Sequence, residues 1–313
     1  MKNLIQAAEI WVPDVEGQLL EFGGGLYGSA VEFGAVSRSM CFGRGEGLPG
    51  RVWDQARPIL LKDLQTGHFR RAAAARKAGL TCAAAFPVYF GDVLKAVVVL
   101  FCAEAPEQTG AIELWRNDPR VASDMTLVDG YYGSTGADFA AASHDTYLPR
   151  GSGLPGLAWQ REASVFLDGL PGSTKFLRAE AAAAAGIERG LALPCPVPGN
   201  EHYVLTLLSS ASTPIARRLE SWVPAADGIP LQRAYGYCES AGALPVGAQV
   251  TTSGSGDDSI AAAFASAAPQ VRARAGDEPG AVGAAAAAAG LGAMLVLPIA
   301  SDGAVSEALA LYF

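Results

Sequence analysis

Residues 45–53 read GEGLPGRVW, and residues 151–159 read GSGLPGLAW. The same Gly-Leu-Pro-Gly turn, followed by a tryptophan at the same distance, therefore occurs twice in the chain. Glycine and proline favour a sharp bend, and the tryptophan adds a large apolar side chain directly after it. A repeat of this kind indicates that the chain is built from related structural units.

Further landmarks recur on either side of this turn. Three segments begin alike, and their tryptophans are spaced by 104 and 107 residues: IWVPDVEG from Ile10, LWRNDPRV from Leu114 and SWVPAADG from Ser221. Alanine-rich stretches end at a glycine in each unit and precede strands with an internal proline: AFPV, ALPC and VLPI. In the third unit only Gly254-Ser255-Gly256 remains of the turn, and Phe264 stands near the tryptophan position. We therefore predict three domains, at residues 1–106, 107–214 and 215–313, joined by short junctions into a stiff array.

The first unit shows the expected local structure most clearly. Hydrophobic runs, turn residues and helix formers predict strands and helices in this order: strands at Ala8–Val12 and Gln18–Phe22, a strand-like stretch at Ala30–Met40, a helix at Leu48–Gln55, a strand at Ile59–Leu61, a helix at Phe69–Ala78, and a hairpin of Cys82–Phe90 and Val93–Phe101. Adjacent hairpins with helices inserted between them indicate an antiparallel sheet flanked by helices. The fold class is therefore α+β.

Composition excludes several classes of function. Half of the residues are hydrophobic and the formal net charge is −8, so we expect no nucleic-acid or membrane partner. The three histidines share no motif, and we expect no metal site. Five cysteines without a CxxC pair, and no secretory signal, favour a reduced cytoplasmic protein. The uncharged Ala281–Ala300 segment approaches the length of a membrane span, but the repeat predicts a helix, a turn and a strand there.

The order of these landmarks resembles the GAF domain family. The first unit carries the resemblance best, through GEGLPGRVW, LLKDL, HFRRAAAARKAGL, AAAFPVYF and VVVLF; the second is similar, and the third is divergent. The resemblance implies a central antiparallel sheet of about six strands in each unit. It also implies a pocket on one face, which in relatives receives cyclic nucleotides, tetrapyrroles or other small molecules. We find no kinase motif, phosphate loop or other output segment, so we expect a separate protein partner to carry the output.

Nine side chains are candidates for lining such a pocket: Phe42, Trp53, Asp63, Phe69, Phe86, Trp159, Phe166, Asp168 and Phe176. The alternative for the aromatic residues is ordinary core packing, and for the two aspartates it is a turn or capping role. Arg70, Arg71 and Arg178 lie beside the pocket candidates. They are expected on solvated helix faces, although an arginine there is also suited to bind a carboxylate or phosphate.

Three functions remain open, and the sequence names no cofactor. The first is a small-molecule sensor that signals through a partner protein. The second is a ligand-free scaffold or dimerisation protein, in which case a homodimer is expected. The third is a thiol-based methionine sulfoxide reductase, which some relatives are. We expect no catalytic residues, because reductase chemistry needs a reactive thiol with a resolving partner, and the cysteines here show no such motif.

Overall fold

The structure is a computed structural model that describes residues 2–65, 69–103, 109–226, 230–250 and 258–313. It contains three antiparallel sheets of six, six and seven strands, formed by successive stretches of the chain and flanked by helices. This confirms the α+β class with about six strands in each sheet. The turn remnant Gly254–Gly256 and His68 lie outside the described residues.

Unit 1 (residues 5–103) contains the following elements: β1 (Ile5–Pro13), β2 (Leu20–Leu26), α1 (Val31–Ser37), β3 (Cys41–Phe42), α2 (Gly47–Gln55), β4 (Ile59–Leu61), α3 (Ala72–Lys77), β5 (Leu80–Phe90) and β6 (Val93–Ala103). The strand order across the sheet is β3-β2-β1-β6-β5-β4. The strand-like expectation for Ala30–Met40 was wrong, because α1 is helical there and buries Phe33 and Ser37, four residues apart, on one face. The helix expected at Phe69–Ala78 begins later, at Ala72.

Unit 2 (residues 110–209) repeats this arrangement: β7 (Gly110–Asn117), β8 (Met125–Tyr131), α4 (Gly136–His144), β9 (Tyr147–Leu148), α5 (Gly153–Arg161), β10 (Val165–Asp168), α6 (Ala179–Ala185), β11 (Arg189–Cys195) and β12 (His202–Ser209). The strand order is β9-β8-β7-β12-β11-β10, equivalent to that of unit 1. Each Gly-Leu-Pro-Gly turn opens the equivalent helix, α2 or α5.

Unit 3 (residues 218–312) keeps the same frame with one additional short strand: β13 (Arg218–Pro224), β14 (Leu231–Cys238), β15 (Gly242–Ala243), β16 (Gln249–Val250), α7 (Ser259–Ser266), β17 (Gln270–Arg272), α8 (Gly280–Ala288), β18 (Met294–Ser301) and β19 (Ala304–Tyr312). The uncharged segment at Ala281–Ala300 thus forms most of α8, a turn and most of β18. Among the described residues, no helix has the length and apolar character needed to span a membrane.

Both faces of each sheet are buried, which explains the continuous apolar runs in the central strands. In β6, Val98 and Leu100 point to one face, while Val97, Val99 and Phe101 point to the other. The second face packs against the helices of the same unit. The first face joins the corresponding faces of units 2 and 3 in one shared core.

The three units close into a ring around this shared core. The strand equivalent to β4 in each unit lies against the second strand of the next unit: β4 against β8, β10 against β14, and β17 against β2. The strand prolines Pro87, Pro194 and Pro298 meet at one end of the ring axis. Head-to-tail contacts that close in this way form a cyclic arrangement, here within one chain. We call the three contacts the 1–2, 2–3 and 3–1 seams.

Candidate functional site

The helix-covered face of the first sheet contains a buried polar group, which we call the unit-1 cluster: Glu9, Trp11, Tyr27, Ser37 and Arg71. Glu9 on β1 is fully buried. Its carboxylate accepts hydrogen bonds from the Trp11 indole at 3.0 Å, the Tyr27 hydroxyl at 3.2 Å and Arg71 Nη1 at 2.5 Å. The same Arg71 nitrogen also donates to the Ser37 hydroxyl. A buried carboxylate needs such partners because burial strongly disfavours its charge.

Aromatic rings surround the Arg71 guanidinium. Its carbon lies 4.7 to 6.0 Å from the ring centres of Phe33, Phe69, Phe101, Trp11 and Phe42. The rings predicted to line a ligand pocket, Phe42 and Phe69, therefore enclose an arginine of the protein itself. The surface expectation was wrong for Arg71, whose side chain is 2% exposed; it was correct for Arg70, which is 54% exposed. Arginine suits this environment because its planar cation stacks on aromatic faces.

Unit 2 has an equivalent group, the unit-2 cluster: Glu113, Trp115, Tyr132, Ser143 and Arg178. Here Arg178 binds Glu113 through two nitrogens, with Nη1 to Oε1 at 2.5 Å and Nη2 to Oε2 at 2.8 Å. Phe176 lies 5.0 Å from the guanidinium, so this third pocket candidate also packs on an arginine. The surface expectation was wrong for Arg178 as well, because its side chain is 5% exposed.

The two clusters differ in how completely the arginine is paired. Arg71 Nη2 is buried and has no hydrogen-bond partner within the described residues, whereas the same atom of Arg178 binds Glu113. Burial alone would raise the pKa of Glu113, but the charge and hydrogen bonds of Arg178 outweigh it and lower that pKa below its ordinary value. Unit 2 therefore holds a fully compensated ion pair, and unit 1 retains an unused cationic donor.

Unit 3 keeps the carboxylate and changes the cation. Glu220 on β13 is 2% exposed and accepts from Arg233 at 2.7 Å and from the Tyr312 hydroxyl at 2.8 Å. Arg233 comes from β14, and no arginine from the alanine-rich helix contacts Glu220 among the described residues. Among the residues that the structure describes, the buried indole nitrogen of Trp222 has no partner, unlike those of Trp11 and Trp115.

The sequence reasoning missed these carboxylates, although a signal for them was present. Each repeated tryptophan follows a glutamate by two positions, in the segments EIW, ELW and ESW that start at Glu9, Glu113 and Glu220. Residues two apart in a strand share one face, so a glutamate beside a buried tryptophan was a candidate for burial. A cation to pair with it then had to come from elsewhere in the unit.

The other pocket candidates are dispersed. Trp53 and Trp159 are buried on α2 and α5, with Arg44 and Arg150 over their rings. The remaining candidates lie in a turn, at seams or in the shared core: Asp63 accepts from the Gln65 amide, Asp168 pairs with Arg189, Phe166 packs on Tyr237 across the 2–3 seam, and Phe86 lies in the shared core. The structure thus brings together Phe42 and Phe69 in unit 1 and separates them from Phe86.

An open cleft lies at the 3–1 seam, beside the unit-1 cluster. We call it the 3–1 cleft; its volume is about 580 Å³. Polar side chains on its unit 1 side are those of Lys2, Asn3, Gln6, Tyr27, Ser29 and Arg38, and unit 3 contributes Ala273, Ala293 and Phe313. The Arg38 guanidinium lies 5.4 Å from the Tyr27 ring centre. Tyr27 therefore contacts the cleft while its hydroxyl binds Glu9.

The buried thiols of Cys102 and Cys195 have raised pKa values. Cys82 and Cys102 face each other across β5 and β6, and the hydrogen bond between them, with burial, raises the pKa of Cys102 well above its ordinary value. Burial raises the pKa of Cys195 to about 12. Such thiols are poor nucleophiles near neutral pH. Within the described residues, no group of three His, Cys, Asp or Glu side chains is arranged to hold a metal ion.

Comparison with known proteins places this geometry in context. Residues 1–117 match the family model described as GAF domain. No curated protein matches the chain. Similar solved structures include the A. aeolicus nlh2 GAF domain in an inactive state, at 19% identity over 32% of this chain and 59% of that chain, with a TM-score of 0.26. They also include the GAF domain of a two-component sensor histidine kinase from Bacillus halodurans, at 16% identity over 31% of this chain and 63% of that chain, with a TM-score of 0.26. A free methionine-R-sulfoxide reductase from Neisseria meningitidis, in complex with its substrate, is similar at 18% identity. That match covers 32% of this chain and 51% of that chain, with a TM-score of 0.24. Each of these three matches spans less than two thirds of the solved chain.

Proposed function

We propose, from the premise that residues 1–117 belong to the GAF domain family, that this protein is a sensor that binds a small acidic molecule in the 3–1 cleft and signals through a partner protein. A sensory or regulatory role is what membership of this family suggests. The observation that carries the finer proposal is the cleft of about 580 Å³ in contact with Tyr27. That volume lies in the range typical of small-molecule sites.

The charges around the cleft favour an acidic ligand. Lys2 and Arg38 are the charged side chains that line it, and neither forms an ion pair within the described residues. An arginine binds a carboxylate or phosphate through two parallel hydrogen bonds. The apolar side chains of Ile5 and Val31 complete the lining, so the proposed ligand combines an acidic group with an apolar part.

The path from the cleft to the rest of unit 1 runs through Tyr27. Its hydroxyl binds Glu9, Glu9 binds Arg71, and Arg71 binds Ser37 at the end of α1. A ligand that draws Tyr27 or Arg38 toward the cleft alters the partners of Glu9, whose charge tolerates little change because it is buried. The helix α1 presents Val31 and Val36 at the protein surface. We propose that the ligand shifts α1, and that a partner protein recognises the changed position of these two side chains.

Native mass spectrometry of the protein from its own host tests the proposal. We expect a bound small molecule that is lost on denaturation and that carries an acidic group. It is expected to disappear in Arg38→Met and to persist in Arg76→Met, an exposed arginine on α3 away from the cleft. Retention in Arg38→Met would overturn the cleft as the site. A mass equal to the polypeptide or its dimer, with no thermal shift by a panel of small organic acids, would favour the alternative.

That alternative is a ligand-free scaffold or dimerisation protein. It is supported by the arginines that fill the helix-covered faces of units 1 and 2, where the family resemblance implies a pocket. A methionine sulfoxide reductase is the third candidate, because one similar structure has that activity. The raised pKa values of Cys102 and Cys195 count against it, and we propose that the protein is not an enzyme. Unchanged sulfoxide turnover in Cys82→Ser would remove the facing thiols of Cys82 and Cys102 as its source.

A further inference from the structure

A second cavity lies where units 2 and 3 meet, and we call it the 2–3 cavity. Its volume is about 260 Å³, slightly below the range of about 300–1,000 Å³ that is typical of small-molecule sites. The end of α5, the β11–β12 connection and the β18–β19 turn line it, and it shares no lining residue with the 3–1 cleft. The 2–3 cavity is therefore suited to a ligand smaller than a typical drug.

The cavity exists because the connection between the last two strands is longer in unit 2 than in the other units. In units 1 and 3 it is a tight turn, Gly91–Asp92 or Asp302–Gly303, whereas in unit 2 it spans residues 196–201 and reads PVPGNE. A tight turn keeps two strands paired up to their ends, but prolines interrupt such pairing. Pro196 and Gly199 of the longer connection lie in the cavity wall. The room is thus specific to unit 2.

Three carboxylates belong to the described lining: Glu162, Glu201 and Asp302. Two of them are paired with arginines that lie outside the lining, because Glu162 meets Arg150 at 3.4 Å and Glu201 meets Arg120 at 3.0 Å. Asp302 has no ion-pair partner in the part of the chain that the structure describes. One negative charge at the cavity is therefore uncompensated.

Unit 2 is also the unit with a carboxylate at the end of the helix that follows the turn motif. The residues directly after α2, α5 and α7 are Ala56, Glu162 and Ala267, all with left-handed backbone. The Glu162 carboxylate reaches unit 3, where it accepts a hydrogen bond from the Ser301 hydroxyl. This bond holds the β18–β19 turn, and with it Asp302, beside α5.

Aromatic rings form another part of the wall. The rings of Trp159 and His202 both line the cavity, and their centres lie 5.6 Å apart. Burial, together with the charge of Arg150, lowers the pKa of His202 below its ordinary value, so this ring is neutral near pH 7. Aromatic rings beside a carboxylate favour a positively charged ligand, because the ring faces attract cations.

The indole of Trp159 gives an independent indication of a ligand. Trp159 is 9% exposed, and its Nε1 atom is buried with no hydrogen-bond partner among the described residues. A buried donor without a partner is costly, and buried polar groups in proteins are almost always satisfied. An acceptor on a molecule in the cavity that Trp159 lines would supply the missing bond.

We propose that the 2–3 cavity binds a small protonated amine that also carries a hydrogen-bond acceptor, such as a carbonyl oxygen. The ammonium group pairs with Asp302, and the acceptor receives a hydrogen bond from the Trp159 indole. The apolar part of the ligand packs on the rings of Trp159 and His202. This ligand is opposite in charge to the one proposed for the 3–1 cleft, and its site is independent of that cleft.

Leucinamide tests the proposal, because it combines a protonated amine, an amide carbonyl and an apolar side chain. The chain has five tryptophans, and Trp159→Phe identifies the indole N–H signal of Trp159 in a ¹H–¹⁵N NMR spectrum. We expect leucinamide to shift that signal and to leave those of Trp11 and Trp115 unchanged, since their indoles already bind glutamates. N-acetyl-leucinamide lacks the charge and is the matched probe, expected to cause little shift.

Variants of two turns locate the charge that binds the amine. Asp302→Asn is expected to weaken leucinamide binding by about twofold to fivefold, as for a partly exposed ion pair. Asparagine tolerates the left-handed backbone at this position, so the turn is kept. Asp92→Asn makes the same change in the corresponding turn of unit 1 and is expected to leave the affinity unchanged, as is Arg38→Met in the 3–1 cleft.

Three results would each overturn the proposal. The first is an unchanged Trp159 signal in the presence of leucinamide. The second is an equal shift with leucinamide and N-acetyl-leucinamide, which would show that the positive charge is not recognised. The third is equal weakening by Asp302→Asn and Asp92→Asn, which would show that the amine responds to the overall charge of the protein and not to this site.

Discussion

The unit-1 and unit-2 clusters use the same five residue types and yet pair their charges differently. Arg178 meets both oxygens of Glu113, while Arg71 meets one oxygen of Glu9, and its Nη2 has no partner in the described part of the chain. Unit 3 keeps only the carboxylate and the tryptophan and takes its cation from a strand. The common requirement is therefore the buried carboxylate on the first strand, and the source of its cation varies.

This difference indicates distinct roles for two similar sites. A two-point arginine–carboxylate pair is rigid, because both partners have their hydrogen bonds in one geometry. The pair in unit 1 is held at one point and is connected through Tyr27 to the 3–1 cleft. We therefore propose that the unit-2 cluster stabilises its own unit, and that the unit-1 cluster responds to what the 3–1 cleft contains.

The largest expected loss of stability comes from replacing the buried arginine of the unit-1 or the unit-2 cluster. Arg178→Met leaves Glu113 buried without a cation and is expected to destabilise the protein by about 3–5 kcal/mol. Arg71→Met is expected to cost less, because Glu9 loses one hydrogen bond from the arginine whereas Glu113 loses two. The measurement is the free energy of unfolding in urea for both variants.

The matched control is the double change Glu113→Gln with Arg178→Met. It removes the buried charge together with its partner, so most of the lost stability is expected to return. Equal losses in Arg71→Met and Arg178→Met, or no recovery in the double variant, would contradict the difference drawn between the clusters.

The sequence predicted the fold well, because the repeat locates each strand three times. Val97 to Phe101 form an apolar run that fits a strand buried on both faces, and the Gly-Leu-Pro-Gly turns begin helices as expected. Closure into a ring was not predictable in the same way. It depends on contacts such as Gly24 on Val271, where an added Cβ would lie 2.7 Å from a methyl carbon. Gly24 stands in a run of three glycines, but nothing in the sequence pairs that run with Val271 in a distant unit.

The site was predicted less well, for a physical reason. Aromatic residues near a turn suggest a pocket, but Phe69 and Phe176 enclose the arginines that follow two residues later in sequence. Arginine is usually exposed, so a sequence gives little sign that Arg71 and Arg178 are buried. Only the pairing of each with a glutamate more than sixty residues away makes that burial tolerable.

A second test uses pH, where two buried glutamates are expected to act in opposite directions. The pKa of Glu113 is lowered, chiefly through Arg178 against the effect of burial, so its contribution to stability is present above its unfolded pKa and is lost as pH falls through the folded value. Burial raises the pKa of Glu307, which binds Ser164 across the 2–3 seam. Its contribution is present below the unfolded pKa and is lost as pH rises through the folded value.

Glu307→Gln is therefore expected to gain stability relative to the wild type as pH rises above about 4.5, by about 1.4 kcal/mol for each unit by which the folded pKa is raised. The glutamine keeps an acceptor for the Ser164 amide, which Glu307 binds at 2.7 Å. Thermal unfolding from pH 4 to pH 8 measures the effect. If the difference in stability between the wild type and Glu307→Gln stays constant across that range, Glu307 does not titrate as proposed.

The smallest expected loss of stability comes from replacing Tyr27 or Tyr132, the tyrosines of the unit-1 and unit-2 clusters. Tyr27→Phe and Tyr132→Phe each remove one hydroxyl that binds a buried glutamate, at 3.2 and 3.3 Å, and each is expected to cost about 1 kcal/mol of stability. Only Tyr27 lines the 3–1 cleft, so only Tyr27→Phe is expected to reduce the thermal shift caused by the bound acid. Tyr132→Phe is the matched control, because it makes the same chemical change in the unit-2 cluster. If both variants weaken the ligand response equally, the effect is one of general stability, and the link from the cleft through Tyr27 to Glu9 is not what transmits it.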